Sequence, residues 1–161
     1  YAPILVDGES MEPTLHNGNR MIVDKISYKI KDPERFDIIV FRATAEKDYI
    51  KRVIGLPGDT VEYRDDVLYI NGKAYDEPYL DAYKAQLAEG DLLTYNFTME
   101  ELIGEKVVPE GRLFVLGDNR RVSNDSREIG TISMEAVVGK TSIVYWPLKE
   151  IRIERYNEPE K

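Results

Sequence analysis

The chain has 161 residues, of which 42% are hydrophobic and 32% charged, and its net charge is −8. That is about one domain of sequence, with enough apolar material to bury its own core. The acidic balance argues against nucleic acid as a partner, because phosphate recognition needs clustered Lys and Arg, and the absence of cysteine excludes disulfides and thiolate metal sites.

Short β-rich runs separated by turn residues dominate, and they predict a mainly β, antiparallel fold with few short helices. In chain order the expected strands are Met21 to Val23, Asp37 to Phe41, Tyr49 to Ile54, Thr60 to Tyr63 and Val67 to Ile70. Asn71-Gly72 then predicts a two-residue hairpin turn into Lys73-Ala74-Tyr75, since both residues tolerate positive φ. Later strands are expected at Arg112 to Leu116, Lys140 to Trp146 and Ile151 to Ile153. Helical starts are confined to Thr98 before Met99 to Leu102, and to Ser133 before a turn over Met134 to Val137. The span 65–106 is richer in Tyr, Asp and Glu and reads as an inserted smaller lobe. It leaves 1–64 and 107–155 as a discontinuous main core and 156–161 as a C-terminal tail. No apolar run approaches the roughly 20 residues of a membrane-spanning helix.

The chemistry concentrates in three segments. The first is Ser10-Met11-Glu12-Pro13-Thr14-Leu15 and the second Tyr49-Ile50-Lys51-Arg52-Val53-Ile54-Gly55-Leu56-Pro57-Gly58-Asp59. The third is Gly117-Asp118-Asn119-Arg120-Arg121-Val122-Ser123-Asn124-Asp125-Ser126-Arg127. A serine hydroxyl is a weak nucleophile until a base takes its proton. With no cysteine, a thiol mechanism is excluded, and a Ser-His-Asp arrangement would rest on the single histidine, His16. Lys51 is the remaining route, as in serine–lysine variants of the triad. Free lysine is an ammonium near neutral pH, so it needs apolar surroundings to lose its charge. Tyr49, Ile50, Val53 and Ile54 supply them, and strand alternation sends Arg52 to the opposite face.

In this order the three segments resemble the nucleophile, general-base and late boxes of bacterial type I signal peptidases, of a Gram-positive-like kind. Gly18 to Lys25 and the ending through Trp146-Pro147 fit the same family. The resemblance implies a signal-peptidase-like catalytic core of antiparallel sheet, with a Ser10–Lys51 dyad that removes signal peptides from exported preproteins. Ser123 would orient the Lys51 amine, while Asp125 with Arg127 and Asp118 with Arg52 would be structural ion pairs. The Ser10 amide would be the first oxyanion donor. Gly8 stands where some relatives carry a hydroxyl donor, so a backbone amide or a water substitutes there, or the hole has one donor fewer. Val122 replaces an asparagine common among relatives. Val6, Met11, Leu15 and Ile50 would wall the pockets for small side chains one and three residues before the cut, with Lys140 to Val144 as an edge that receives substrate.

The resemblance implies no cofactor, and Arg120, Arg121 and Arg127 crowd Asp118 and Asp125 with positive charge, which disfavours a metal. Its partners would be signal peptides and the membrane surface, with room for the secretion machinery. The cell membrane is the expected location, with the catalytic part extracytoplasmic. The family carries an anchor just before the serine box, whereas this sequence starts at Tyr1 without Met, so an anchor is expected outside it. The clusters Tyr1 to Leu5 and Trp146 to Leu148 would either face lipid or pack in the interior. Two rivals differ in outcome. A self-cleaving peptidase of the SOS-repressor type normally has an Ala-Gly cleavage site before its serine, and no Ala-Gly pair occurs here. A silent peptide-binding scaffold would be expected to lose Ser10 or Lys51, and both remain.

Overall fold

The computed structural model describes residues 1–154. The expected tail at 156–161, and Arg155 at the end of the expected core, lie outside the described residues. Among the described residues twelve strands occur in chain order: β1 (Ala2–Leu5), β2 (Arg20–Asp24), β3 (Ile38–Arg42), β4 (Asp48–Gly55), β5 (Val61–Arg64), β6 (Val67–Ile70), β7 (Lys73–Tyr75), β8 (Phe97–Thr98), β9 (Arg112–Leu116), β10 (Ile132–Ser133), β11 (Val137–Trp146) and β12 (Arg152–Ile153). The helices are single turns: α1 (Ser27–Ile30), α2 (Asp81–Lys84), α3 (Met99–Ile103) and α4 (Ser126–Ile129). The mainly β, antiparallel expectation holds. Thr98 caps α3 as expected, its side chain accepting from the Glu101 amide.

The larger sheet runs β1-β2-β11-β3-β4-β9-β10, with β12 added beside β11, and the smaller runs β7-β6-β5-β8. The hairpin at Asn71-Gly72 forms with both residues at positive φ, and β6 pairs β7 across it. Two expectations need correction. Lys140 to Val144 is not a free edge, because β11 lies inside the sheet: it pairs β2 through Lys140, Thr141, Ile143 and Val144, and β3 or β12 on its other side. The division at residue 65 also falls too late for strand pairing. β5 belongs to the smaller sheet, paired with β6 and β8.

One apolar core joins the two sheets. Ile54, Phe114 and Leu116 of the larger sheet pack with Val61, Tyr63, Leu68, Ile70 and Phe97 of the smaller. A polar tie crosses the same junction. The buried Glu77 carboxylate accepts from the Tyr63 and Tyr79 hydroxyls and from Arg120, at 2.7 to 2.9 Å. Arg120 also donates to the Gly117 carbonyl at 2.8 Å, which links the smaller lobe to the loop after β9.

β11 can pair on both sides only because Gly139 lets the chains close up. A Cβ there would lie 2.4 Å from the Asp24 carbonyl oxygen and 2.7 Å from Val23 Cγ1. Gly139→Ala is therefore expected to cost about 1–3 kcal/mol, seen as a lower urea midpoint at constant slope. An unchanged midpoint would mean that β2 and β11 separate at little cost.

Candidate active site

A cleft of about 430 Å³ is lined by Ile4 to Gly8, Ser10, Met11, Val40, Asp48 to Lys51 and Asn124. β1 and β4 both border it although β2, β11 and β3 lie between them in the sheet, so the larger sheet curls to bring them together. Each presents a free edge. Among the described residues β1 pairs only with β2, and β4 pairs β9 from Arg52 onward, leaving Asp48 to Lys51 bonded to β3 alone.

Ser10 sits in a turn between β1 and β2, closed by the Glu12 amide donating to the Glu9 carbonyl at 3.1 Å. Lys51 comes from β4, opposite Ile39 of β3, and is only 4% exposed. Its amine donates to Ser123 Oγ at 3.1 Å and lies 5.4 Å from the centroid of the Tyr49 ring. Burial lowers the Lys51 pKa to about 8; the Asp125 and Asp118 carboxylates pull the other way, and Arg127 adds to the lowering. Among the described residues no hydrogen bond joins Ser10 Oγ to the Lys51 amine, although both line the cleft.

The expected ion pairs form. Arg52 grips Asp118 with two nitrogens, at 3.0 and 2.7 Å, donates to the Phe36 carbonyl at 2.9 Å and lies over the Tyr79 ring. Thr14 Oγ1 donates to the same Asp118 carboxylate. Asp125 accepts two bonds of 2.9 Å from Arg127 and one of 3.0 Å from the Gly117 amide. Burial works to raise the Asp125 carboxyl, but these donors overcome it and hold the group below its usual range. His16 lies away from this cluster on the surface, 3.3 Å from Glu12. No group of side chains suited to a metal exists among the described residues.

A family profile described as signal peptidase, peptidase S26, matches residues 1–146. The chain belongs to that family. It is 51% identical over 154 residues to a signal peptidase I of Bacillus caldolyticus, covering 96% of this chain and 84% of the relative. It is 46% identical to signal peptidase IB of Staphylococcus aureus, covering 93% and 80%. A crystal structure of a signal peptidase I from Enterococcus faecalis V583 superposes with a TM-score of 0.65 at 48% identity, covering 69% of this chain and 97% of that one.

In this signal peptidase, an enzyme of the serine peptidase class, Val6, Met11 and Ile50 line the cleft. Leu15 does not: it is fully buried beside Met11, Met21, Ile38 and Val144. The Gly8 amide is already committed to Asn17 Oδ1 at 2.8 Å, so it is not a free oxyanion donor. Val122 is exposed. Ile4, Val40, Tyr49 and Asn124 join the lining without having been expected as pocket walls. Alternation marked Val40 and Tyr49 as strand residues but could not say that a cleft opens beside them.

Gly117 is another such residue. A Cβ there would fall 2.1 Å from Ser123 Oγ and 2.6 Å from the Ser10 carbonyl oxygen. Gly117→Ala is expected to push Ser123 off the Lys51 amine and lower kcat about 100-fold, the order of loss that a 1 Å misplacement brings. Steady-state peptide cleavage measures it, and near-normal kcat would show that Ser123 can give way without harm.

Proposed function

We propose that this signal peptidase removes N-terminal signal peptides from exported preproteins, with Ser10 as nucleophile and Lys51 as general base. The observation that carries the reading is a buried lysine amine with its pKa lowered to about 8, bordering the same cleft as the serine. At pH 7 such an amine is neutral in roughly one molecule in ten, against roughly one in 3,000 for an unperturbed lysine. The neutral amine donates one N–H to Ser123 and keeps its lone pair for the Ser10 proton. That contact forms when substrate arrives, as catalytic hydrogen bonds often do.

Ser10 Oγ attacks the scissile carbonyl carbon while its proton passes to Lys51 Nζ. The tetrahedral intermediate collapses, the C–N bond breaks, and Lys51 returns the proton to the leaving amine. Water then attacks the acyl-enzyme, losing a proton to Lys51, and Ser10 departs as the alcohol. The free edges of β1 and β4 support binding of an extended substrate through main-chain bonds. Along such a strand the residues one and three before the cut point to the same side. The apolar walls from Val6, Met11 and Ile50 favour small residues there, which is the Ala-x-Ala preference.

The test is cleavage of an Ala-x-Ala preprotein mapped by mass spectrometry. Ser10→Ala and Lys51→Ala are each expected to abolish turnover while leaving the circular dichroism unchanged. Wild-type kcat should rise with pH through about 8 and then level off, because protonation removes the base and the folded pKa lies below the ordinary 10.5. Turnover by Lys51→Ala, or a profile that is flat across pH 7 to 9, rejects the assignment.

Action at a membrane surface is supported by an apolar end of the larger sheet. Leu5, Arg20 and Trp146 share one row across β1, β2 and β11, and exposed Leu148, Ile151 and Ile153 follow in sequence. Leu148→Ser is expected to weaken sedimentation with anionic lipid vesicles several-fold; equal binding by the variant would dismiss this face.

A further inference from the structure

The Ser10 amide can stabilise an oxyanion only if it points into the cleft, and the structure shows what fixes its direction. Asn119, in the loop after β9, reaches the nucleophile turn with two separate donors. Its side-chain Nδ2 donates to the Glu9 carbonyl at 3.0 Å, and its backbone N–H donates to the Ser10 carbonyl at 2.9 Å. These are the carbonyls of the two consecutive peptide groups that flank Ser10, and both peptides are trans. In a trans peptide the C=O and the N–H point to opposite sides of the chain. With both carbonyls drawn toward Asn119, and the Glu9 carbonyl also accepting from the Glu12 amide, the Ser10 and Met11 amides must face the other way. Neither amide has an acceptor among the described residues. Ser10 and Met11 line the cleft and Asn119 does not, so the amides face the side where substrate enters.

We propose that Asn119 is a positioning residue that aims the Ser10 and Met11 amides at the oxyanion. The inference rests on Ser10 being the nucleophile. It also supplies the second donor that Gly8 does not offer, since the Gly8 amide is bound to Asn17. Two successive backbone N–H groups turned to one side form a nest, a recurrent way of holding negative charge. Asn119 touches neither substrate nor the reacting atoms. It acts on the turn, and its neighbour Gly117 leaves room for the turn to sit close.

The experiment compares wild type with Asn119→Asp and Asn119→Ala, using a cleavable peptide and a peptide aldehyde of matching sequence as tetrahedral analogue. Asp has the same size but offers an acceptor to the Glu9 carbonyl in place of the donor. The expected result for Asn119→Asp is kcat lowered about 10- to 100-fold, below the full loss of a donor. KM should stay within about twofold and aldehyde affinity should fall in step with kcat; in Asn119→Ala, which adds no charge, the pH midpoint near 8 should not move, because Lys51 is untouched. Asn119→Ala should show the same pattern more weakly, since it loses the donor without adding repulsion.

Three results overturn the proposal: kcat within twofold of wild type in both variants, a fall in kcat with unaltered aldehyde affinity, or loss of activity matched by a collapsed melting temperature in both. Ser10→Ala run alongside separates the two levels of failure. Turnover by Ser10→Ala removes the serine mechanism itself, and this inference with it. An inert Ser10→Ala beside an unaltered Asn119→Asp overturns the Asn119 assignment alone.

Discussion

The carboxylate of Asp118 is fully buried, and the three segments that carry the chemistry converge on it. Arg52 adjoins Lys51 in β4, Thr14 follows Ser10 in the turn between β1 and β2, and Asp118 itself lies in the loop that leads to Ser123. A buried ion pair is a weak source of net stability, since desolvation of both charges offsets most of their attraction. Its value here is registration. The Arg52 fork meets the carboxylate in a planar, two-point geometry that admits little sliding. Thr14 then fixes the serine turn to the same centre, so that parts distant in sequence share one reference point.

Around that centre the charges are placed in pairs, and this is what leaves the Lys51 amine to be governed by burial. Asp125 alone would stabilise an ammonium at Lys51. Its partner Arg127 opposes that effect, and the two are joined by two hydrogen bonds. Asp118 is likewise matched by Arg52. Seen from Lys51, each carboxylate arrives with its own cation, and the largest influence remaining is the loss of water. Ser123 then gives the amine a direction without giving it a charge.

Much of this could be read along the chain because period-two alternation and turn chemistry are local. The hairpin at Asn71-Gly72, the strand carrying Lys51 and the Thr98 cap needed only neighbouring residues to specify them. What could not be read depends on long-range order. Lys140 to Val144 has the composition of any strand, and nothing in it reveals that β2 and β3 both claim it. Ala2 to Leu5 contains a proline and reads as an apolar cluster, yet it forms the outermost strand, where a missing N–H does no harm. Met11 and Leu15 are both apolar residues near Ser10, and only the fold of the turn puts one in the cleft and the other in the core. Asn119 passes as a turn residue until it is seen across 110 positions against Glu9.

The slot bounded by the outer rim of β1 and the upstream half of β4 has a topological consequence. A polypeptide can satisfy both rims only if it brings a stretch with main-chain groups unclaimed on either side. Native globular proteins rarely offer such a stretch, because their strands are already partnered or shielded. If substrate binds there as an added strand, as proposed above, selectivity for flexible leaders over the compact bodies they precede needs no separate recognition element, because the backbone of a folded cargo is already spoken for.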